Sequence, residues 1–239
     1  MTDGREVTLD DLVRIRGETE FLGRKVFLRT LGARQDELRV MMAMARAAEM
    51  RSALRTEGTP EYNAFILPLK LADVKTLREA GEALERGRLT RQSYSAVNPE
   101  REPEPPEGAD VAEVLEAEEE RRQEEAKLAE RRQKWVEENL EEFKKQYLYG
   151  EWDEETLRKE VLARQEELQV NAAYVARWNS ATLLYGCYRD KECKKPLFAS
   201  CDEVEDCSPV LRDHLLSKYW EIDRFSYDLD ALKNLPRGQ

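Results

Sequence analysis

The sequence predicts an α+β fold, predominantly α-helical: a small N-terminal β-hairpin packed on helices, with a long charged antiparallel helical hairpin inserted. Three observations lead to it. Strand-like alternation is confined to the residues around Gly23. Runs rich in Ala, Leu, Met, Glu, Arg and Lys at helical spacing fill most of the remainder. A proline-rich stretch, Asn98–Pro106, leads into a run from Asp110 to Tyr149 that is too polar to be a core element.

Taken in order, Thr8–Val13 reads as a short helix or turn with Thr8 as N-cap and acids in its first turn. Glu20–Leu31 reads as a hairpin turning at Gly23-Arg24, with Val26, Leu28 and Thr30 alternating against Lys25, Phe27 and Arg29. A lone hairpin is marginal in water, so a helix must cover one face. The adjacent run Ala33–Arg55, stopped by Gly58, is expected to supply it, with Leu38, Met41, Met42, Ala45, Ala48 and Ser52 as one core stripe. Met41, Met42, Met44 and Met50 read as gap-filling core, the other reading being an adaptable surface for apolar partners.

Thr59-Pro60 restarts a helix, and Pro68 is expected to interrupt it within Phe65–Leu71. A further helix fits Asp73–Arg86, with Gly87 as its stop. The expected borders are thus an N-terminal unit at 1–88, a Pro/Glu-rich linker at 89–109, the charged helical hairpin at 110–186, and a cysteine-containing turn with a closing helix at 187–239 that packs back on 1–88.

Within the charged run, Glu116–Lys127 has only Ala117 and Ala126 as apolar side chains and should stand in solvent. From Leu128 a stripe returns through Trp135, Val136, Leu140, Phe143 and Tyr147. Asp153 caps the next helix, which runs to about Tyr185 with Leu157, Val161, Leu168, Ala172, Val175 and Thr182 at heptad-like spacing. The last helix is expected from Pro209 to about Arg224.

Of 239 residues, 41% are hydrophobic and 37% charged, and the net charge is −11. The charged share exceeds the roughly 25% of ordinary domains, so much of the chain is solvated surface. The acidic balance repels phosphate backbones, so nucleic acid is not an expected partner. No segment approaches the roughly 20 apolar residues that span a bilayer, and Met1–Glu6 lacks the basic start of a secretory signal. A soluble, cytoplasmic protein is expected.

Candidate chemistry is sparse. Cys187, Cys193, Cys201 and Cys207 cluster near the C-terminus, but five residues separate the close pair Cys187 and Cys193, and again Cys201 and Cys207, where structural zinc uses about two to four. Free or partly bonded thiols are expected instead, with a small zinc- or thiol-dependent enzyme or regulator as a lesser reading. His214 is the single histidine and reads as a boundary residue. Neither a nucleophile elbow nor a phosphate-cradling glycine loop is present, so the chain is not expected to be an enzyme or to need a cofactor.

The segment Ala173–Asp190, the step Lys195-Pro196-Leu197-Phe198, the acidic Glu203-Val204 and the closing apolar helix resemble the C-terminal part of tail assembly chaperones of long-tailed bacteriophages. The start is similar as well, a hairpin at Gly23–Arg29 followed by the acid-containing Asp36-Glu37-Leu38. The resemblance implies a non-catalytic role in the infected host cell: keeping the tape measure protein soluble and recruiting tail tube subunits. Helix-in-groove binding of such a client would draw on Met41, Met42, Met44, Trp135, Leu140, Phe143, Trp178, Leu197 and Phe198. The alternative is a structural virion or scaffold protein that uses the helical hairpin as a spacer.

Overall fold

The computed structural model describes residues 16–97, 111–145 and 152–233, without the side chains of 111–118 and 224–233. The helix expected at Thr8–Val13, the stretch 98–109, Tyr147 and the tail beyond 233 lie outside the described residues. The chain divides into two compact units, residues 1–52 with 169–239, and residues 53–168.

In the first unit, β1 (Arg16–Phe21) and β2 (Arg24–Arg29) pair antiparallel from Arg16↔Arg29 to Phe21↔Arg24. The turn is therefore Leu22-Gly23, one residue earlier than expected. Both residues have positive φ, 49° and 74°, which lets a two-residue turn follow the strands' right-handed twist. Val26, Leu28 and Thr30 are buried, as their alternation predicts. A third strand, β3 (Cys187–Tyr188), pairs antiparallel with β2. Two residues are too short to carry a period, which is why this stretch reads only as a turn.

The helices of this unit are α1 (Ala33–Arg55) and α5 (Glu154–Gly186), each shared with the second unit, together with α6 (Cys201–Asp206) and α7 (Pro209–Lys233). Val26 and Leu28 meet Leu183, Cys187, Phe198, Val204 and Leu215 in one core. The C-terminal helix α7 lies against β1 and β2, so it covers the hairpin where α1 had been expected to do so. Thr19 Oγ1 and His214 Nε2, 2.9 Å apart, tie β1 to α7, which places His214 at a boundary. Ser200 caps α6: its Oγ accepts from Glu203 N at 3.1 Å, and the Glu203 carboxylate reaches back past the cap to accept from Ala199 N at 2.6 Å.

In the second unit the end of α1 leads through Gly58 (φ 89°) into a π-helical turn, Tyr62–Ile66, and then α2 (Leu67–Leu71). Pro68 does not interrupt the chain; it sits in the first turn of α2, where a missing N–H costs nothing, and the wider π turn precedes it. Asp73 caps α3 (Val74–Ala96) by accepting from Thr76 N at 2.7 Å. This helix runs through Gly87 to Ala96, so the first part of the expected linker is helical. Leu89 and Ser93 extend the buried row Leu77, Gly81 and Glu85, and this packing outweighs the helix-breaking tendency of one glycine.

α3 runs antiparallel to α4 (Val111–Phe143): Arg86 is ion-paired with Glu137, and Arg132 reaches back to the Val97 carbonyl. Leu77, Leu89, Val136, Leu140, Phe143, Leu157 and Val161 form the core. The described part of the polar run, residues 119–127, is almost wholly exposed, with ion pairs Arg121–Glu125 and Lys127–Glu124 along it. Asp153 caps α5 as expected, accepting from Thr156 N at 2.8 Å.

The heptad-like stripe is broken in the middle of α5. Leu157, Val161 and Thr182 are buried, but Ala172 and Val175 are exposed while Val170, Ala173, Ala181 and Leu183 go inside. The helix changes partners along its length, pairing antiparallel with α1, so a single seam cannot persist.

Glu85 is buried between Arg88 and Arg164. Burial pushes its carboxyl upward, but the two guanidiniums outweigh that and hold it below the usual range. Its stabilisation is therefore complete above the unfolded glutamate value of about 4.3 and is lost as pH falls through the lower folded value. Glu85→Gln should cost about 2 kcal/mol at pH 7 and flatten the stability–pH curve below about pH 4.5, as read from urea melts at each pH.

Candidate functional site

α1 has a packed face and an open face on opposite sides. The inward face is Arg39, Ala43 and Leu54, all buried. The outward face is Leu38, Met41, Met44, Ala45 and Ala48, all exposed, with Leu38 at 37%, Met41 at 59% and Met44 at 61%. The expected core stripe is thus the solvent face. The true seam lies on the other side of the helix, because Arg39 supplies by ion pairing and stacking what an aliphatic residue would supply by burial.

Arg39 Nη1 donates to Thr182 Oγ1 at 3.1 Å, and Nη2 is ion-paired with Asp36. The guanidinium lies 3.8 Å from the centroid of the Trp178 ring, which stacks on Tyr174 at 5.8 Å. The Thr182 hydroxyl donates to the Trp178 carbonyl at 2.9 Å. Met42 is half-buried, with its sulfur 3.6 Å from the Tyr185 hydroxyl. α1 is thereby held on α5 by polar and aromatic contacts, and its far side stays open.

The expected partner-binding residues separate by burial. Met41 and Met44 are exposed, whereas Met42 and Trp178 belong to the α1–α5 contact. Leu140 and Phe143 are core residues of the second unit, with Trp135 packed against them. Phe198 is core in the first unit and Leu197 packs beside it. These five serve their own cores rather than a surface. Leu38, Ala45 and Ala48 belong to the outward face instead; the signal for them was present in the sequence as a stripe at three- and four-residue spacing.

Cys187, Cys193 and Cys201 are buried and Cys207 half-buried, and all four are free thiols. Burial pushes Cys187 up to about 12, with Cys207 nearby adding to the rise, and burial raises the other three as well. Nucleophilic attack needs the thiolate, which these surroundings disfavour. Among the described residues, no group of three or more His, Cys, Asp or Glu side chains is placed to hold a metal ion.

A cavity of about 280 Å³ lies between α3 and α4, lined in part by Arg86, Tyr94, Arg132 and Glu137. Both guanidiniums are already engaged, Arg86 by Glu137 and Glu82, and Arg132 by the Val97 carbonyl and the Tyr94 ring. Among the described residues, no helix is long and apolar enough to cross a membrane.

Fold and face together define a helix-rich protein with an apolar helix surface held out on a packed scaffold. No family model matches the chain, and neither curated proteins nor solved structures give a match.

Proposed function

We propose that this chain is a non-enzymatic tail assembly chaperone of a long-tailed phage, which binds an amphipathic helix of the tape measure protein on the outward face of α1 and assists tail tube assembly. The observation that carries this reading is the exposure of Leu38, Met41 and Met44 on a helix whose opposite face is already packed. Methionines on an open helix face adapt to varied apolar partners, as a client with a long series of amphipathic helices requires. The resemblance of both chain ends to tail assembly chaperones supports the same role. The acidic exterior, with a net charge of −11, keeps a complex of two apolar surfaces dissolved.

Co-expression with a tape measure protein from the same genome should increase the client's soluble fraction and bring the two down together. Met41→Glu with Met44→Glu should weaken that co-purification at least tenfold, while Val175→Glu, at an exposed site on α5, should not. A client no more soluble with the wild-type chain than without it removes the proposal.

The solvated part of α4 favours a second reading. Residues 119–127 lie beyond the level of α3's end at Ala96 and are held by local ion pairs, the form a spacer takes. A structural virion or scaffold component would be found in mature particles at a fixed copy number; a chaperone would be absent from them.

A further inference from the structure

We infer that the outward face of α1 is covered, when no client occupies it, by the same face of a second copy, in an antiparallel two-fold pair. The inference concerns the face used in the proposed function, but it rests on how that face matches itself and not on the client's identity.

Leu38, Met41, Ala45, Ala48 and Ser52 follow the alternating three- and four-residue spacing of a coiled-coil seam, and all five are exposed. An antiparallel pairing centred between Met41 and Ala45 sets Leu38 against the partner's Ala48 and Met41 against the partner's Ala45. The two-fold axis repeats both contacts. Every large side chain thus meets a small one, and the layers have even thickness. A parallel pairing would stack Leu38 on the partner's Leu38 and Ala48 on the partner's Ala48, leaving one end crowded and the other open.

The flanking charges choose the same direction. Glu37, Met44 and Arg51 form the row beside the seam, and all three are exposed. Antiparallel pairing brings Glu37 to the partner's Arg51 and Met44 to the partner's Met44. Parallel pairing would instead set this row beside the partner's Met42 and the partner's Glu49, with no Glu–Arg match.

A free two-heptad helix is too short to form alone in water. α1 avoids that cost because its inner face is already fixed by Arg39, Ala43 and Leu54. The 23-residue helix is roughly 35 Å long, and the seam occupies about two thirds of it. The contact is therefore below the usual size of a permanent interface, and a client helix can displace the second copy.

Sedimentation of the full chain in a dilution series from about 100 to 1 μM should show a mass moving from dimer toward monomer, the window suited to a small interface. Ala45→Glu places like charges at the centre of the seam and should weaken the dimer at least tenfold with the far-ultraviolet circular dichroism unchanged. Glu37→Arg should do the same, and Glu37→Arg combined with Arg51→Glu should restore the dimer. A wild-type chain that stays monomeric throughout, an Ala45→Glu dimer of unchanged affinity, or a double charge swap without rescue overturns the inference. Loss of the client with an intact dimer counts against the proposed function alone, and client binding by a strictly monomeric chain counts against the dimer alone.

Discussion

Gly186→Ala is expected to lower the stability of the first unit by about 3 kcal/mol, measured by chemical denaturation. Gly186 is the last residue of α5, and a Cβ there would lie 2.7 and 2.9 Å from two carbons of the Tyr219 ring. Tyr219 has nowhere to move. It is 1% exposed, its hydroxyl accepts from Leu31 N at 3.1 Å, and Trp220 packs edge-on against it at 5.4 Å. Overpacking of this kind costs about 1–3 kcal/mol, and freeing the Leu31 N–H adds roughly another 1. Helix propensity alone would favour alanine by about 1 kcal/mol, so a stabilised variant would show that the close approach of α5 to Tyr219 is wrong. Pairing Gly186→Ala with Tyr219→Leu should recover part of the loss.

Removing residues 53–168 and joining Ser52 to Gln169 by a short flexible loop should leave a folded first unit. Arg39 meets Thr182 and Arg55 meets Glu166, so Ser52 and Gln169 stand level on antiparallel helices. A loop of about two to five residues closes such a pair. The hairpin, β3, α6 and α7 all belong to the retained unit and keep their core of Val26, Leu28, Leu183, Val204 and Leu215. Cooperative thermal unfolding and dispersed amide resonances are the expected result; a broad, non-cooperative melt would show that the unit needs residues 53–168. Removal of the longer stretch from Asn98 to Asn171 would instead strand α2 and α3 without their partners on α4 and α5.

What could be read from the sequence follows from how far each signal travels along the chain. The hairpin, the cap at Asp153, the stripe from Leu128 to Phe143 and the solvated segment before it are local, and each depends on residues within about two turns of itself. Which helix covers the hairpin depends on residues nearly two hundred positions away, such as Thr19 with His214, and nothing local encodes it. The two-residue β3 is a strand only because the edge of β2 is there to pair with it. α1 misled for a different reason. Its apolar residues at Leu38, Met41, Ala45 and Ala48 look more like a core than Arg39, Ala43 and Leu54 do, because the pattern does not show that an arginine is held by Asp36, Thr182 and Trp178. The outward face was therefore legible as a stripe and illegible as a surface.

The placement of the thiols gives the molecule a built-in clock. All four cysteines fall between Cys187 and Cys207, three of them shielded, and residues 53–168 contain none. A thiol reagent can reach Cys187, Cys193 or Cys201 only when the surrounding unit opens, so the slow phase of labelling times the breathing of that unit alone. Opening of the other unit passes unrecorded, and the two halves of one chain can be told apart with a single chemical probe and no substitution.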